Sequence, residues 1–146
     1  ALSEALTTVE DEFYAELEAE LGASAGPAER LRRMAEMGAG SGPAVGDWGL
    51  WLEIWVRALR DPGARATREQ LDRRWRGWLR GVVDEGVQAG VFRTSDAEDA
   101  TARLAALMDG LAIQLALADP DMSPDRFVRL WLTAAGLELG VDLRSG

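Results

Sequence analysis

The sequence predicts an all-α, single-domain fold of six helices. Three observations carry this expectation. Apolar residues recur at three- and four-residue steps along most of the chain, Gly and Pro punctuate it at helix-length intervals, and no stretch alternates apolar with polar as a half-buried strand would. The length suits one domain with a real core, and no internal repeat or domain boundary interrupts it.

The elements follow in order. Leu2, Leu6, Val9, Phe13 and Leu17 form one apolar stripe on a long first helix whose other side is acidic, with Gly22 as its end. Pro27 suits a first helical position, and a short helix to about Met37 turns Leu31, Met34 and Met37 inward. Residues 38–47 are rich in glycine and read as a loop. A third helix is expected from Trp48 to about Leu59, with Asp47 as N-cap and Asp61-Pro62-Gly63 as its stop. Thr67 with Gln70 forms a capping-box pattern for a fourth helix running to about Ala89, closed by Gly90, after which Val91 and Phe92 are expected to tuck into the core. Ser95 with Glu98 is a second such box, opening a fifth helix to about Ala118. Asp119-Pro120 ends it, and Ser123 and Pro124 open a sixth helix to about Leu139.

Composition narrows function. The chain has no cysteine and no histidine, which excludes disulfides, thiolate or imidazole metal sites and nucleophile–histidine dyads. Carboxylate pairs such as Asp11/Glu12 or Glu16/Glu20 match an exposed helix face, and no phosphate loop or metal spacing accompanies them, so neither enzyme activity nor a cofactor is expected. A net charge of −9 argues against binding nucleic acid. Arginines between Arg57 and Arg80 are interrupted by Asp61, Glu69 and Asp72 and read as a solvated face rather than a phosphate track. With no membrane-length apolar run and no signal-peptide pattern, the expectation is a cytoplasmic protein without a membrane partner.

Six tryptophans stand out. Trp48, Trp51 and Trp55 line one helix side, and Trp75 with Trp78 line another. Two facing indole stripes could wall an apolar pocket or fill a core.

The last two helices carry the most oil. From Leu104 to Ala118 only Asp109 and Gln114 are strongly polar, and the sixth helix spreads apolar side chains over more than half its circumference. A homodimer in which these helices form a four-helix bundle would cover them, through Leu107, Leu111, Ala112, Leu115, Phe127, Leu130, Trp131 and Ala135. Such interfaces bury roughly 1,600 Å² or more. The alternative is that one of them is the central helix of a monomer.

The order of these motifs carries a likeness. "VEDEFYAELEAEL", a tryptophan-rich helix ending in Arg60-Asp61-Pro62, a long Arg/Trp helix, Gly90-Val91-Phe92-Arg93, and "LAALMDGLAIQLAL" before a final helix succeed one another. This resembles the C-terminal effector-binding and dimerisation half of TetR-family transcriptional regulators, closest to the subgroup that includes the choline-responsive BetI repressors. The resemblance spans essentially the whole chain. It implies a homodimeric, bacterial regulator that senses a small-molecule effector, apolar or aromatic with a cation as an open alternative, and releases DNA on binding it. It also implies a helix-turn-helix DNA-binding domain preceding this segment. The chain opens on Ala1, already in helical pattern, and nothing in it matches that domain, so it is expected to be a piece of a larger protein.

On this likeness the effector sits among helices one to five, with Phe13, Leu17, Met34, Met37, Trp48, Trp51, Trp55, Trp75, Trp78 and Met108 as its lining. Indoles and methionines suit a large apolar ligand, and a cation could stack on the indoles. Glu53 and Gln114, inside apolar stretches, are candidate polar anchors; Glu53 also reads as a solvated acid near the stripe's edge. A helical interaction module with a solid core remains the rival reading.

Overall fold

The computed structural model describes residues 1–40 and 48–145. Six helices follow one another: α1 (Leu2–Leu21), α2 (Pro27–Gly38), α3 (Trp48–Ala58), α4 (Pro62–Gln88), α5 (Ala97–Ala116) and α6 (Pro124–Leu139). No strand occurs among the described residues. The expected Asp47 cap of α3 lies outside them.

Helix ends follow local chemistry. Gly22 takes the positive φ of +68° that ends α1. Pro27 sits in the first turn of α2, and Ser123 caps α6 by accepting from the Arg126 N–H at 3.2 Å. Two expected caps are displaced. α4 begins at Pro62, five residues before Thr67, because Asp61 accepts from the Gly63 N–H at 2.9 Å and proline suits the first turn. The tripeptide that stops α3 therefore also starts α4. Thr67 lies inside α4, where its hydroxyl meets that of Ser3 on α1 at 3.0 Å. α5 is capped by Asp96, accepting from Asp99 N–H at 3.0 Å, rather than by Ser95.

The main core joins α2, α4, α5 and α6 around Leu79, Phe92, Phe127 and Trp131. Trp131 is fully buried, and its indole N–H donates to the Leu104 carbonyl at 3.0 Å. The turn after α4 is built on Gly86. Its carbonyl accepts from the N–H groups of Val91 and Phe92 at 2.9 and 3.0 Å, and a Cβ there would lie 2.0 Å from the Phe92 ring. Phe92 thus plugs the core, while Val91, expected beside it, is 41% exposed. A smaller cluster of Leu6, Ile54, Ala64 and Leu71 ties the start of α1 to α3 and α4. Between the two clusters, α1, α3, α4 and α5 leave a gap.

The residues expected at a dimer interface on α5 and α6 divide by burial. Leu111, Ala112, Phe127, Trp131 and Ala135 are buried within the single subunit, against α2, α4 and each other, so they belong to its own core. Leu107, Leu115 and Leu130 are half-buried. The apolar surface left outward includes Leu117 and Leu137, at 68% and 82% exposure. One subunit hides more of these helices than their composition suggests.

Candidate functional site

The gap is a cavity of about 70 Å³ lined by Val9, Glu10, Phe13, Tyr14, Met34, Gly38, Trp48, Trp51, Trp55, Asp72, Trp75, Met108 and Asp109. Of the residues expected to line it, Phe13, Met34, Trp48, Trp51, Trp55, Trp75 and Met108 do so. Leu17, Met37 and Trp78 do not. Leu17 and Met37 are wholly buried in the main core, and Trp78 stacks on Trp75 from outside the lining, with centroids 6.1 Å apart and planes at 15°. The volume is well below the roughly 300–1,000 Å³ of a drug-sized site.

The walls are aromatic and firmly set. Trp51 and Trp55 tilt together at 6.0 Å, and Phe13 and Tyr14 meet edge to face at 5.3 Å. Trp48 is pinned by its indole N–H donating to the Gly38 carbonyl at 2.9 Å, which fixes the first turn of α3 over the end of α2.

Three carboxylates enter this aromatic box, each from a different helix: Glu10 from α1, Asp72 from α4 and Asp109 from α5. Glu10 is only 8% exposed, and its Oε2 has no hydrogen-bond partner. Burial pushes its pKa up to about 7, against the opposing pull of Arg74 and the Tyr14 hydroxyl. Arg74 is committed elsewhere: it lies 4.6 Å over the Tyr14 ring and donates to Asp11 at 2.6 Å. Asp109 is raised to about 6, by burial first and by the charge of Asp72 second. Asp72 is compensated at the rim by Arg76 at 3.5 Å and Arg68 at 3.9 Å. The indole N–H of Trp75 is likewise buried without an acceptor.

Buried polar groups are almost always paired, because an unpaired one costs about 1–3 kcal/mol. The two orphans, Glu10 Oε2 and Trp75 Nε1, both belong to residues that line this cavity. Glu53 and Gln114, the polar anchors expected from the sequence, are both exposed and outside the lining. Glu10 carries a usable signal, lying four residues after Leu6 and three before Phe13 on the apolar stripe. Asp109 carries another, as one of the few polar residues in α5.

Comparison with known proteins bears on what such a box is for. A family model described as the C-terminal region of BetI-type transcriptional repressors matches residues 27–138. The chain belongs to this family. This TetR-type domain is also similar to a chain from Saccharomonospora viridis, assigned as a transcriptional regulator and solved in complex with choline. The two are 29% identical with a TM-score of 0.84, over 94% of this chain and 72% of that one. A transcriptional regulator from Rhodococcus sp. Rha1 shares the fold, at 24% identity and a TM-score of 0.73, over 94% and 70% of the respective chains. No curated protein matches the chain. No helix among the described residues is long and apolar enough to cross a membrane.

Proposed function

We propose that this domain is the sensing and dimerising half of a TetR-type repressor whose effector is a small organic cation. One observation carries the reading: an aromatic box of about 70 Å³ that contains Glu10, buried and lacking a partner at Oε2. Indole faces attract a cation through their quadrupoles, by up to about 2 kcal/mol when desolvated. A buried carboxylate supplies the charge that completes the match. A neutral apolar effector would leave Glu10 and Asp109 uncompensated. Choline, held by the Saccharomonospora protein, has the required size and charge.

In this reading DNA is gripped by a helix-turn-helix domain outside these residues, in a homodimer. The outward apolar residues of α5 and α6, Leu117 and Leu137 among them, support a subunit boundary there. Effector binding would favour a subunit arrangement with the wrong half-site spacing and so release the operator, by its difference in affinity between the two states. α1 is the natural relay. It bears Glu10 in its middle and is tied to α4 by the Ser3–Thr67 and Asp11–Arg74 bonds.

The test is calorimetric titration with choline and with its neutral carbon isostere, 3,3-dimethylbutan-1-ol. Choline is expected to bind at least about tenfold more tightly, the cation–π share alone being worth that much. Equal affinity would return the site to an apolar effector. Failure of both ligands to bind would favour a helical interaction module instead.

A further inference from the structure

We infer that Arg32 is a positioning residue for the aromatic cavity: by gripping residues 143–145 it holds α2 in place, and with α2 the part of the wall formed by Met34 and Trp48. The effect of this grip on ligand affinity rests on the sensing reading; its effect on Trp48 does not.

α6 ends on Gly140, whose φ of +66° turns the chain back. The Val141 N–H donates to the Gly136 carbonyl at 3.1 Å, and a Cβ on Gly136 would lie 2.5 Å from the Val141 oxygen, so the returning chain lies flat on the helix it has left. Leu143 then drops into the main core at 1% exposure. Asp142 accepts from the Arg144 N–H at 2.9 Å and from the Ser145 hydroxyl at 3.1 Å, which closes a turn. Residues 140–145 thus form a strap. Arg32 on α2 fastens it, donating through Nε to the Leu143 carbonyl at 2.8 Å and through Nη2 to the Ser145 carbonyl at 3.0 Å. The rigid fork of a guanidinium can hold two carbonyls at once, and its charge does not titrate in the working range of pH.

α2 carries that grip to the cavity. Met34 and Gly38, further along the same helix, both line the cavity. At about 100° per residue they lie roughly 200° and 240° round the helix from Arg32. The strap therefore bears on one face of α2, and the cavity lies against the opposite face. The end of α2 has little slack. A Cβ at Gly38 would lie 3.2 Å from the Met108 sulfur and 3.3 Å from the Phe127 ring, and Met108 lines the cavity as well. The Gly38 carbonyl also accepts the Trp48 indole N–H at 2.9 Å. Close-packed interiors pass a displacement on rather than absorb it, so freeing α2 from the strap would shift Met34 and unseat Trp48. Trp131, whose N–H is held by Leu104 on α5 rather than by α2, would keep its place.

Fluorine NMR of the 146-residue chain labelled with fluorotryptophan tests this, with calorimetric titration of choline beside it. Each of the six tryptophans gives a signal, assigned by its loss on replacement with phenylalanine. Arg32→Met keeps a long side chain but has no donor. It is expected to shift or split the Trp48 signal, leave the Trp131 signal in place and weaken choline binding by about threefold or more. Arg32→Lys, with the charge but not the fork, should fall between that variant and the unaltered chain in both readouts. If Arg32→Met does not fold, Arg32→Lys is read by the same criteria. An unmoved Trp48 signal overturns the inference, and so do Trp48 and Trp131 signals moved alike, as general loosening would move them. A moved Trp48 signal with choline affinity unchanged overturns it as well. Failure of the unaltered chain to bind choline overturns cation sensing instead, and the Trp48 signal then decides the positioning role alone.

Discussion

Two tryptophans separate the two regions of this molecule. Trp131, between α5 and α6, is sealed from solvent and donates to Leu104 at 3.0 Å. Trp75, beside the cavity, is 9% exposed and has no acceptor for its indole N–H. The first region consists of apolar packing with its polar atoms satisfied, as a stable core requires. The second gathers acids among aromatic rings and leaves some unpaired. Burial is nearly equal in the two, so burial alone does not distinguish the packed core from the cavity wall. Hydrogen-bond satisfaction does.

The sharpest way to break this contrast is paired truncation. Trp131→Ala should lower stability by about 3–5 kcal/mol, the usual cost of removing a large core aromatic. Trp75→Ala should cost about 1–3 kcal/mol less than that, because it also removes a buried donor that has no acceptor. Urea unfolding of both variants measures the difference. Similar losses would mean that the cavity wall is ordinary core.

The next effect is pH-dependent. Glu10 in the folded chain titrates near 7, against 4.5 as its ordinary value. Between those values the folded chain holds a proton that the unfolded chain has released, so stability should fall as pH rises and reach its full loss above about 7. Glu10→Gln, neutral throughout, should remove the Glu10 share of that slope, leave the share of Asp109, which is raised to about 6, and gain up to about 3 kcal/mol at pH 8. Unfolding curves at pH 5 and pH 8 measure it. A variant no more stable than the parent at pH 8 would show that Glu10 has a partner in solution.

The smallest effect belongs to the surface. Arg103 makes a two-pronged ion pair with Glu138, at 2.7 to 3.0 Å, yet its side chain is 60% exposed. Solvent screening leaves such pairs little weight. Arg103→Ala should therefore melt at the parent temperature in a thermal scan.

What the chain announces in advance divides along the same line. Element order and most boundaries follow from local chemistry, so Gly22, Pro27, Ser123 and Pro124 mark their helix ends. The start of α4 is harder to read, because Thr67 with Gln70 matches a capping box while Asp61-Pro62 makes a stronger start five residues earlier. Neither pattern alone says which prevails. On α5 and α6 the periodicity says that a helix is covered but not by what, and Phe127 and Trp131 are covered by their own subunit. The aromatic half of the site is legible because indoles are rare and spaced in stripes. Its acidic half is fainter, with Glu10 on the Leu6–Phe13 stripe and Asp109 in an apolar helix as its signals. Glu10 lies in a helix that also holds Glu12, Glu16, Glu18 and Glu20, and the packing of α4 against α1 is what buries it more deeply than those neighbours. That placement depends on residues far along the chain, as the Asp11–Arg74 bond across 63 positions illustrates.

The unpaired oxygen of Glu10 has a consequence for the lifetime of the protein. A domain whose ligand-free form carries an uncancelled buried charge opens more readily than its filled form, and opened chains are what proteases consume. Under the cation-sensing proposal, a filled site would lengthen the life of the chain as well as carry the signal.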